Sequence, residues 1–575
     1  MSAEPEAAPA GLRTVWCGTL GAEDTGRRVT ACGWVSARRD HGEHLVFVDL
    51  RDRTGLVQCV IDGGPTLRAE YVLAVEGTVR RRPPGTENPA LPTGEVELVD
   101  CRVRVLSEAE PPPFPLSERT DAARPDAARP DAARPAAERP DGDRPEVDES
   151  VRLRYRYLDL RRPKMQANLR LRARVNGALR VALDRLGFLE VETPLLWTPT
   201  PEGAREFAVP SRLQPGSFYV LPQSPQIAKQ LLMVAGIDRY YQIARCLRDE
   251  DLRADRQFEF TQLDLEASFA TQEDIMGWVS EAVAEATEAA VGVRPPSIAR
   301  MTWTEAMERY GTDKPDVRFG LELCELTGHL EGTGVAALRA PCVKGLRLAG
   351  QGELPRARLD ALTERARRLG AKGLAWFRTR PVGPEGPVGP EGPAGPEAST
   401  GPEGATGPEG PGGAGAPVEL EGPLARHLTP AEVAALAKAL GLEPGDLALV
   451  VADERPTARS VLGQLRLELG RPPVGEGPLC YVWVTDFPLF EGLDADGRPV
   501  AAHHPFTMPA PNDLGRLLSD PLSVRAQAYD LVLNGWELGS GSIRIHRADI
   551  QAQVLDVLGL SPEVAEARFG FLLGA

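Results

Sequence analysis

Residues 245–266 read RCLRDEDLRADRQFEFTQLDLE, and the rest of the chain is organised around this stretch. Two runs of two-residue alternation flank a charged loop, the pattern of two antiparallel strands joined by a long connection. In the first run Ile243 and Leu247 point one way while Arg248 and Glu250 point the other. In the second, Leu263 and Leu265 oppose Gln262, Asp264 and Glu266; Phe258 and Phe260 stand in the other phase, which predicts a β-bulge near Thr261. An arginine and several carboxylates therefore share the polar faces. A solvent-facing hairpin with cross-strand ion pairs is the plain alternative, and the surrounding sequence weighs against it.

Just upstream, LPQSPQIAKQLLMVAG (221–236) predicts a short helix, with Ser224 as N-cap, Pro225 at the first helical position and Gly236 at its end. Gln226 and Lys229, three apart, share one face of it. TPTPEGAREFAVPSR before it is a loop carrying Glu202. Further back, FLEVETPLLW is extended, with Pro194 confining it to an edge or an interface. The basic run RLRYRYLDLRRPKMQANLRLRARVNGALRVALDRLGF predicts a long amphipathic helix ending near Gly187.

Residues 11–107 alternate in five short runs, from RRVTACGWVSARR to GEVELVDCRVRVL, with no helical period. Five closely spaced strands fit an OB-fold barrel. Phe47 and Gln58 are candidates to stack on or pair with unstacked bases, and Arg39, Arg80 and Arg82 to meet phosphates; Phe47 reads equally well as a core residue of LVFVDL. Residues 108–149 form a linker around five pentads ending in Arg-Pro, where a proline every fifth residue forbids a helix. Residues 150–316 begin a second domain. Residues 317–471 read as an inserted α/β domain, with helices at LPRARLDALTERARRLG and TPAEVAALAKALG and strands at GLAWFRTR and LALVVAD; its Gly-Pro-Glu-rich segment, 381–417, is a flexible acidic tract because the collagen-like triplet frame breaks at Ala398. Residues 472–575 resume the second domain. There, SVRAQAYDLVLNG (523–535) reads as a helix that puts Asp530 two turns upstream of Glu537, and a Gly-Ser-Gly turn separates Glu537 from Arg544.

A chain of 575 residues exceeds the roughly 250 to 300 that one core holds, so several domains are expected. Eight scattered cysteines without a C-x-x-C pair indicate neither a zinc site nor a disulfide framework and suit a reducing cytosol. No targeting or membrane segment is expected, which points to the cytoplasm. The net charge of −16 argues against a nucleic-acid partner, yet arginines cluster at 27–28, 38–39, 80–82 and 152–162, enough to hold a polyanion on one side.

Arg248, Glu250, Asp264, Gln226, Lys229, Glu202, His503, Asp530, Glu537 and Arg544 come from separated segments. Together they suit a small zwitterion with an extra negative charge beside a polyphosphate, where an arginine between carboxylate and phosphate orients attack and neutralises developing charge. Carboxylates such as Asp530 and Glu537 suit Mg²⁺. No P-loop, Rossmann glycine pattern or nucleophilic Ser or Cys motif is present.

These strings resemble the bacterial aspartyl-tRNA synthetases, class II ligases, over nearly the whole chain. RRVTACGWVSARRDHG and FVDLRDRTGLVQCV resemble the family's anticodon-binding OB-fold, RLRYRYLDLRRP the opening of its catalytic domain, GFLEVETP motif 1 with Pro194 at a dimer interface, and the opening stretch motif 2. The resemblance implies an α+β multidomain protein with an antiparallel class II sheet and flanking helices, a homodimer that uses ATP and Mg²⁺ and joins L-aspartate to tRNA(Asp). It implies Glu202 and Asp264 near the aspartate ammonium, Gln226 and Lys229 in the aspartate pocket, Arg544 with Lys229 on the side-chain carboxylate, and His503 at an aspartate-binding position. The resemblance further implies that Arg248 and Glu250 carry catalysis, that Arg248, Asp249, Glu250, Gln257 and Glu537 bind ATP, that Asp530 and Glu537 hold Mg²⁺, and that Phe47, Gln58 and Glu97 read anticodon bases. His41, in ARRDHG, favours the broader specificity that includes tRNA(Asn).

Phe258 stands where the family has proline, and Ser540 replaces the middle glycine of Gly-Gly-Gly. After FGFLLGA the family continues into motif 3, whose arginine clamps ATP. The expectation is a catalytic sheet lacking that strand, helix and arginine, with a catalytically impaired tRNA-binding paralogue as the alternative reading.

Overall fold

The structure, a computed structural model, describes residues 11–42, 44–63, 66–116, 147–199, 205–251, 257–381 and 418–573, without the side chains of 567–569 and 571–573. The Arg-Pro pentads, Glu202 and the Gly-Pro-Glu tract lie outside these residues. The chain divides into two compact units, 1–178 with 289–292, and 179–288 with 293–575.

In the first unit, β1 (Arg28–His41), β2 (Leu45–Arg51), β3 (Leu56–Asp62), β4 (Val72–Arg81) and β5 (Val96–Ser107) close into a barrel of order β1-β2-β3-β5-β4. Alternation drives the closure: Val29, Ala31, Val48, Leu50, Val57, Cys59, Ile61, Leu73, Val75, Val96 and Leu98 turn inward and are buried together. Each large aliphatic among them contributes about 1.5 to 3 kcal/mol of burial, so truncating Leu50 to alanine costs about 2 to 5 kcal/mol. Behind the barrel come α1 (Glu149–Arg154) and α2 (Arg156–Asp159), then the long α3 (Pro163–Arg185). Asp148 caps α1 by accepting from the Ser150 amide at 2.8 Å. Arg161 ties this strap to the barrel: it bonds Glu70 at 2.8 Å, a carboxylate that Arg51 also reaches at 2.9 Å, and stacks 5.1 Å over Trp34.

The second unit opens with β6 (Leu189–Glu190), a two-residue strand where the sequence predicts a longer one; Pro194 and the backbone after Val191 leave the ladder. A small hairpin follows, β7 (Ala208–Pro210) and β8 (Phe218–Val220), then α4 (Gln226–Val234), β9 (Arg239–Leu247), β10 (Glu259–Ala267) and α5 (Gln272–Val291). The strands order as β10-β9-β6. Helix α4 starts one residue later than predicted, with Pro225 as N-cap and the Ser224 hydroxyl accepting from the Gln226 amide at 3.2 Å.

After β11 (Ala299–Thr302) and α6 (Trp303–Tyr310) the inserted segment forms β12 (Cys324–Glu325), β13 (Cys342–Leu348), α7 (Arg356–Arg368), β14 (Ala375–Pro381), β15 (Val418–Glu421), α8 (Pro430–Leu440), β16 (Leu447–Asp453) and α9 (Arg455–Gly470). Its antiparallel sheet, β12-β13-β16-β14-β15, is a filled layer: Leu359, Leu362, Val461, Leu462 and Leu465 of α7 and α9 pack one face, Leu436 and Leu440 of α8 the other. A capping box starts α8, with Thr429 and Glu432 exchanging side-chain and amide bonds. Helix α9 fixes the entrance of the insert. Its Arg466, fully buried, donates to the carbonyls of Asp316, Phe319, Gly320 and Leu321 at 2.8 to 3.1 Å and stacks 4.0 Å over Phe319.

The chain then returns through β17 (Tyr481–Thr485), β18 (Phe490–Leu493), β19 (Pro499–Ala501), β20 (Ala528–Leu533), β21 (Trp536–Ser542), α10 (Ala548–Val557) and α11 (Pro562–Leu573), with a sheet ordered β11-β17-β20-β21. Residues 528–533, expected in a helix, are a central strand. Asn534 and Gly535, both with positive φ (51° and 84°), make the tight turn into β21, and an Asn-Gly pair between alternating runs is a hairpin signal that outweighs a weak helical period. The Gly-Ser-Gly segment is extended inside β21 and is not a turn.

Candidate active site

Strands β9 and β10 pair from Arg239↔Ala267 to Leu247↔Glu259 without a break, so the bulge expected near Thr261 is absent. Phe260 is in phase with Gln262, Asp264 and Glu266, and belongs to the polar face as a platform: the Arg248 guanidinium lies 5.1 Å over its ring. The opposite face carries the exposed ion pair Arg245–Glu259 at 2.7 Å. The ion-paired reading therefore holds on that face, while the other carries Arg248, Phe260, Asp264 and Glu266.

On the polar face a cluster of side chains forms between β10, α4 and the segment after β21. Lys229 of α4 is buried and reaches Asp264 at 2.8 Å and Glu266 at 3.3 Å. Burial opposes its charge, but the two carboxylates outweigh burial and the nearby Arg544, and the ammonium is held above the ordinary lysine range. Arg544 donates through Nη2 to Gln226 Oε1 at 2.5 Å and through Nη1 to Ser542 at 3.1 Å. Gln226 Nε2, Asp264 Oδ2 and Arg248 Nε are buried without a hydrogen-bond partner in the protein. A donor, an acceptor and a guanidinium N–H left unpaired next to two cations suit a zwitterionic ligand with a second carboxylate.

His504 lies in the field of Arg544 and Lys229. Burial, then these two charges, pull its imidazole down to about 3, so it stays neutral; its Nδ1 accepts from the Phe506 amide at 3.3 Å. Behind Asp264, Tyr240 donates to Gln242 Oε1 at 2.9 Å, and Thr193 donates to the same oxygen at 3.0 Å.

A second cluster sits at β20 and β21. Asp530, 3% exposed, has Oδ1 unpartnered, and burial together with Glu537 and Asp313 pushes its carboxyl up to about 8. Lys314 approaches Glu537 at 3.1 Å and Asp313 at 3.8 Å. His503 stands against Phe487, ring centroids 5.0 Å apart; burial lowers its basicity although Glu537, Glu491 and Asp313 oppose it.

In the barrel, the outer face of β1, β2, β3, β4 and β5 carries one connected chain of side chains. Arg39 grips Asp49 through two bonds of 2.7 and 2.8 Å and touches Gln58 at 3.1 Å; Gln58 donates to Glu97 at 2.9 Å, and Arg80 closes on Glu97 at 2.5 Å. Phe47 stays outside the buried core and meets His41 edge to face at 5.9 Å. Arg82 departs from the expected surface position: it is buried, with Nε on the Val96 carbonyl at 3.1 Å.

Residues 148–575 match the family described as tRNA synthetases class II (D, K and N), and residues 29–106 match the OB-fold nucleic acid binding domain. The aspartate–tRNA(Asp/Asn) ligase of Moorella thermoacetica is 48% identical over 583 residues, covering 98% of this chain and 87% of that protein. The aspartate–tRNA ligase of Geobacillus kaustophilus is 46% identical over 581 residues, covering 98% and 88%. The chain belongs to the bacterial-type aspartyl-tRNA synthetases of class II. The asparaginyl-tRNA synthetase from Pyrococcus horikoshii, solved with asparaginyl-adenylate, shares the fold: TM-score 0.51 at 17% identity, over 97% of this chain and 89% of that one.

In this synthetase Gln226, Lys229, Asp264 and Arg544 converge as the sequence predicts, while Asp530 and Glu537 form a separate group. Asp249 and Gln257 are exposed at the two ends of the motif 2 loop, and Glu250 is half-buried at its start. Glu266 was missed although it lies in phase with Asp264, two residues on. Lys314 and His504 carry no periodic signal and are brought in by tertiary structure alone. Asp530 and Glu537 fit Mg²⁺: a buried, crowded carboxylate with an unpartnered oxygen is relieved by a cation, and Mg²⁺ commonly takes one or two carboxylates with substrate phosphates. Among the described residues no set of three or more His, Cys, Asp or Glu side chains is arranged as a self-sufficient ligand cage.

Proposed function

We propose that this chain is an aspartate–tRNA ligase that activates L-aspartate with ATP to aspartyl-adenylate and transfers the aspartyl group to the 3′ end of tRNA(Asp) and of tRNA(Asn). The observation that carries the reading is the cluster in which Lys229 and Arg544 accompany unpaired atoms of Gln226 and Asp264. Lys229 and Arg544 take the side-chain carboxylate, which an asparagine amide cannot replace without leaving cationic donors uncompensated. Asp264 Oδ2 accepts from the ammonium, a group to which the family resemblance also assigns Glu202, outside the described residues. Gln226 Nε2 and Arg248 orient the α-carboxylate, and Arg248, planar over Phe260, neutralises charge on the α-phosphate as the carboxylate oxygen attacks phosphorus and pyrophosphate leaves.

Asp249, Glu250 and Gln257 border the nucleotide, and His503 the aspartate. Bound at Asp530 and Glu537, Mg²⁺ supplies charge neutralisation for the phosphates. In the second step the terminal ribose hydroxyl attacks the acyl carbon and AMP leaves. Arg39, Phe47, Gln58, Arg80 and Glu97 on the barrel face take the anticodon bases and phosphates; Arg82 acts beneath them, through the backbone it holds.

Half-exposed Leu189, Leu195 and Leu196 around Pro194 support a homodimer through this edge, read by sedimentation. The domain boundaries proposed are those read from the sequence, 11–107, 150–316 with 472–575, and 317–471, and tRNA as substrate implies the cytoplasm. Aspartate-dependent ATP–pyrophosphate exchange and charging of purified tRNA(Asp) and tRNA(Asn) test the reading. Exchange and charging are both expected; tRNA binding without exchange identifies a non-catalytic tRNA-binding relative, and no charging of tRNA(Asn) removes the broader specificity.

A further inference from the structure

Lys314 belongs to none of the segments that make the aspartate pocket, yet its ammonium stands inside the carboxylate cluster of β20 and β21. It is carried by the loop between α6 and the inserted segment, and that loop is held at both ends. At its start, Gly311 packs backbone to backbone on α9, where a Cβ would meet the Arg459 carbonyl oxygen at 2.2 Å. At its end, Arg466 grips the four carbonyls of 316 and 319–321, and the buried Asp316 carboxylate is paired with Arg318 at 2.7 Å and Arg471 at 3.4 Å. Between these fixed points Lys314 reaches Glu537 at 3.1 Å, with Asp313 at 3.8 Å and Asp530 also in its field.

Charge balance gives this placement a meaning. Three carboxylates, Asp313, Asp530 and Glu537, face the single ammonium of Lys314, a crowding that a divalent cation relieves. Asp530 Oδ1, buried and without a partner, is an oxygen left for such a cation. Lys314 and the cation both need Glu537, and two positive charges at that distance repel. We propose that Lys314 is a substrate-binding residue with two partners in turn: it is the counter-ion of Glu537 in the free protein, gives that carboxylate up when the divalent cation arrives with ATP, and then binds the ATP phosphates. This rests on the ligase reading above.

Binding measurements without aspartate, where no adenylate forms, test it. Mn²⁺ alone, followed by electron paramagnetic resonance, and ATP·Mg²⁺, followed by calorimetry, are titrated into the full chain. Lys314→Met removes a competitor for Glu537 and a cation for the phosphates, so Mn²⁺ alone binds about tenfold tighter while ATP·Mg²⁺ binds about tenfold more weakly, the span of one charge-assisted bond. Lys314→Arg keeps both affinities near those of the parent chain, and Lys314→Gln repeats the methionine result if that variant fails to fold. Affinities that fall together mean that the lysine only supports its loop, and affinities that do not move mean that it has no part in binding; either overturns the assignment. A parent chain that binds no ATP overturns the ligase reading as well.

Discussion

Arg544 and Gln226, 318 positions apart in the chain, share a hydrogen bond of 2.5 Å, and through it the segment after β21 is registered on α4 beside Lys229. Removing the guanidinium deletes a charge and leaves Gln226 Oε1 without this donor. Arg544→Leu is expected to lower kcat/KM for aspartate in pyrophosphate exchange by about 10² or more, from a charged bond of roughly 1.5 to 3 kcal/mol plus the unpaired amide. The preference for aspartate over asparagine should shrink in parallel. An unchanged ratio would remove Arg544 from the recognition of the side-chain carboxylate.

Tyr529 and Gly541 set a steric limit on the same wall. A methyl group at Gly541 would lie 2.6 Å from the Tyr529 ring, which packs on Trp483 and stands near Glu266. Gly541→Ala is expected to cost about 1 to 3 kcal/mol of local stability and to raise the aspartate KM. Gly539→Ala, where a Cβ meets nothing within 4 Å, is the matched control and should change neither.

Glu308 is the hub of the junction with the insert. Its carboxylate takes Lys344 at 2.7 Å and Arg455 and Arg459 at 3.0 Å, and Lys344 is almost wholly buried. Burial raises the Glu308 carboxyl, but the three cations outweigh it and hold it below the ordinary value of 4.5. A depressed carboxyl stabilises the fold fully above that value and loses the contribution as pH falls through the lower folded one. Glu308→Gln should therefore destabilise at pH 7 by about 3 kcal/mol, with the gap between variant and parent closing in acid below pH 4.5. Thermal unfolding at both pH values measures it.

The proposed roles of the barrel face and of the Arg248 site are separable by experiment. Phe47→Ala is expected to weaken tRNA binding by about 1 to 3 kcal/mol, the span of one base stacked on an aromatic ring, and to leave aspartate-dependent exchange unchanged because exchange needs no tRNA. Filter binding and exchange on the same preparation distinguish this from general damage.

The barrel and the motif 2 hairpin were legible because alternation and spacing are local: inward valines and leucines mark each strand, and Asp264 keeps its phase with Gln262. Phe260 misled because an aromatic in a strand reads as core, whereas here it is the floor under Arg248. Residues 528–533 misled in the same way, their apolar run fitting helix and strand alike until the Asn534-Gly535 turn decides. Helix α9 and strand β13 went unread, although α9 holds Arg466, Arg455 and Arg459 and β13 holds Lys344, the remaining partner of Glu308. Glu202 lies outside the described residues. Lys314 and His504 reach their places through three-dimensional packing, for which no spacing in the chain is a signal.

The carbonyl cage around Arg466 bears on modularity. Four backbone dipoles of residues 316–321 converge on a cation that the inserted segment supplies. Excising that segment would strip the charge and return those carbonyls to solvent, freeing the stretch on which Lys314 rides. The insert is thus no accessory that can be trimmed without consequence: its last helix is part of the scaffolding of the loop that carries Lys314, and a minimal enzyme engineered without it would have to rebuild that brace.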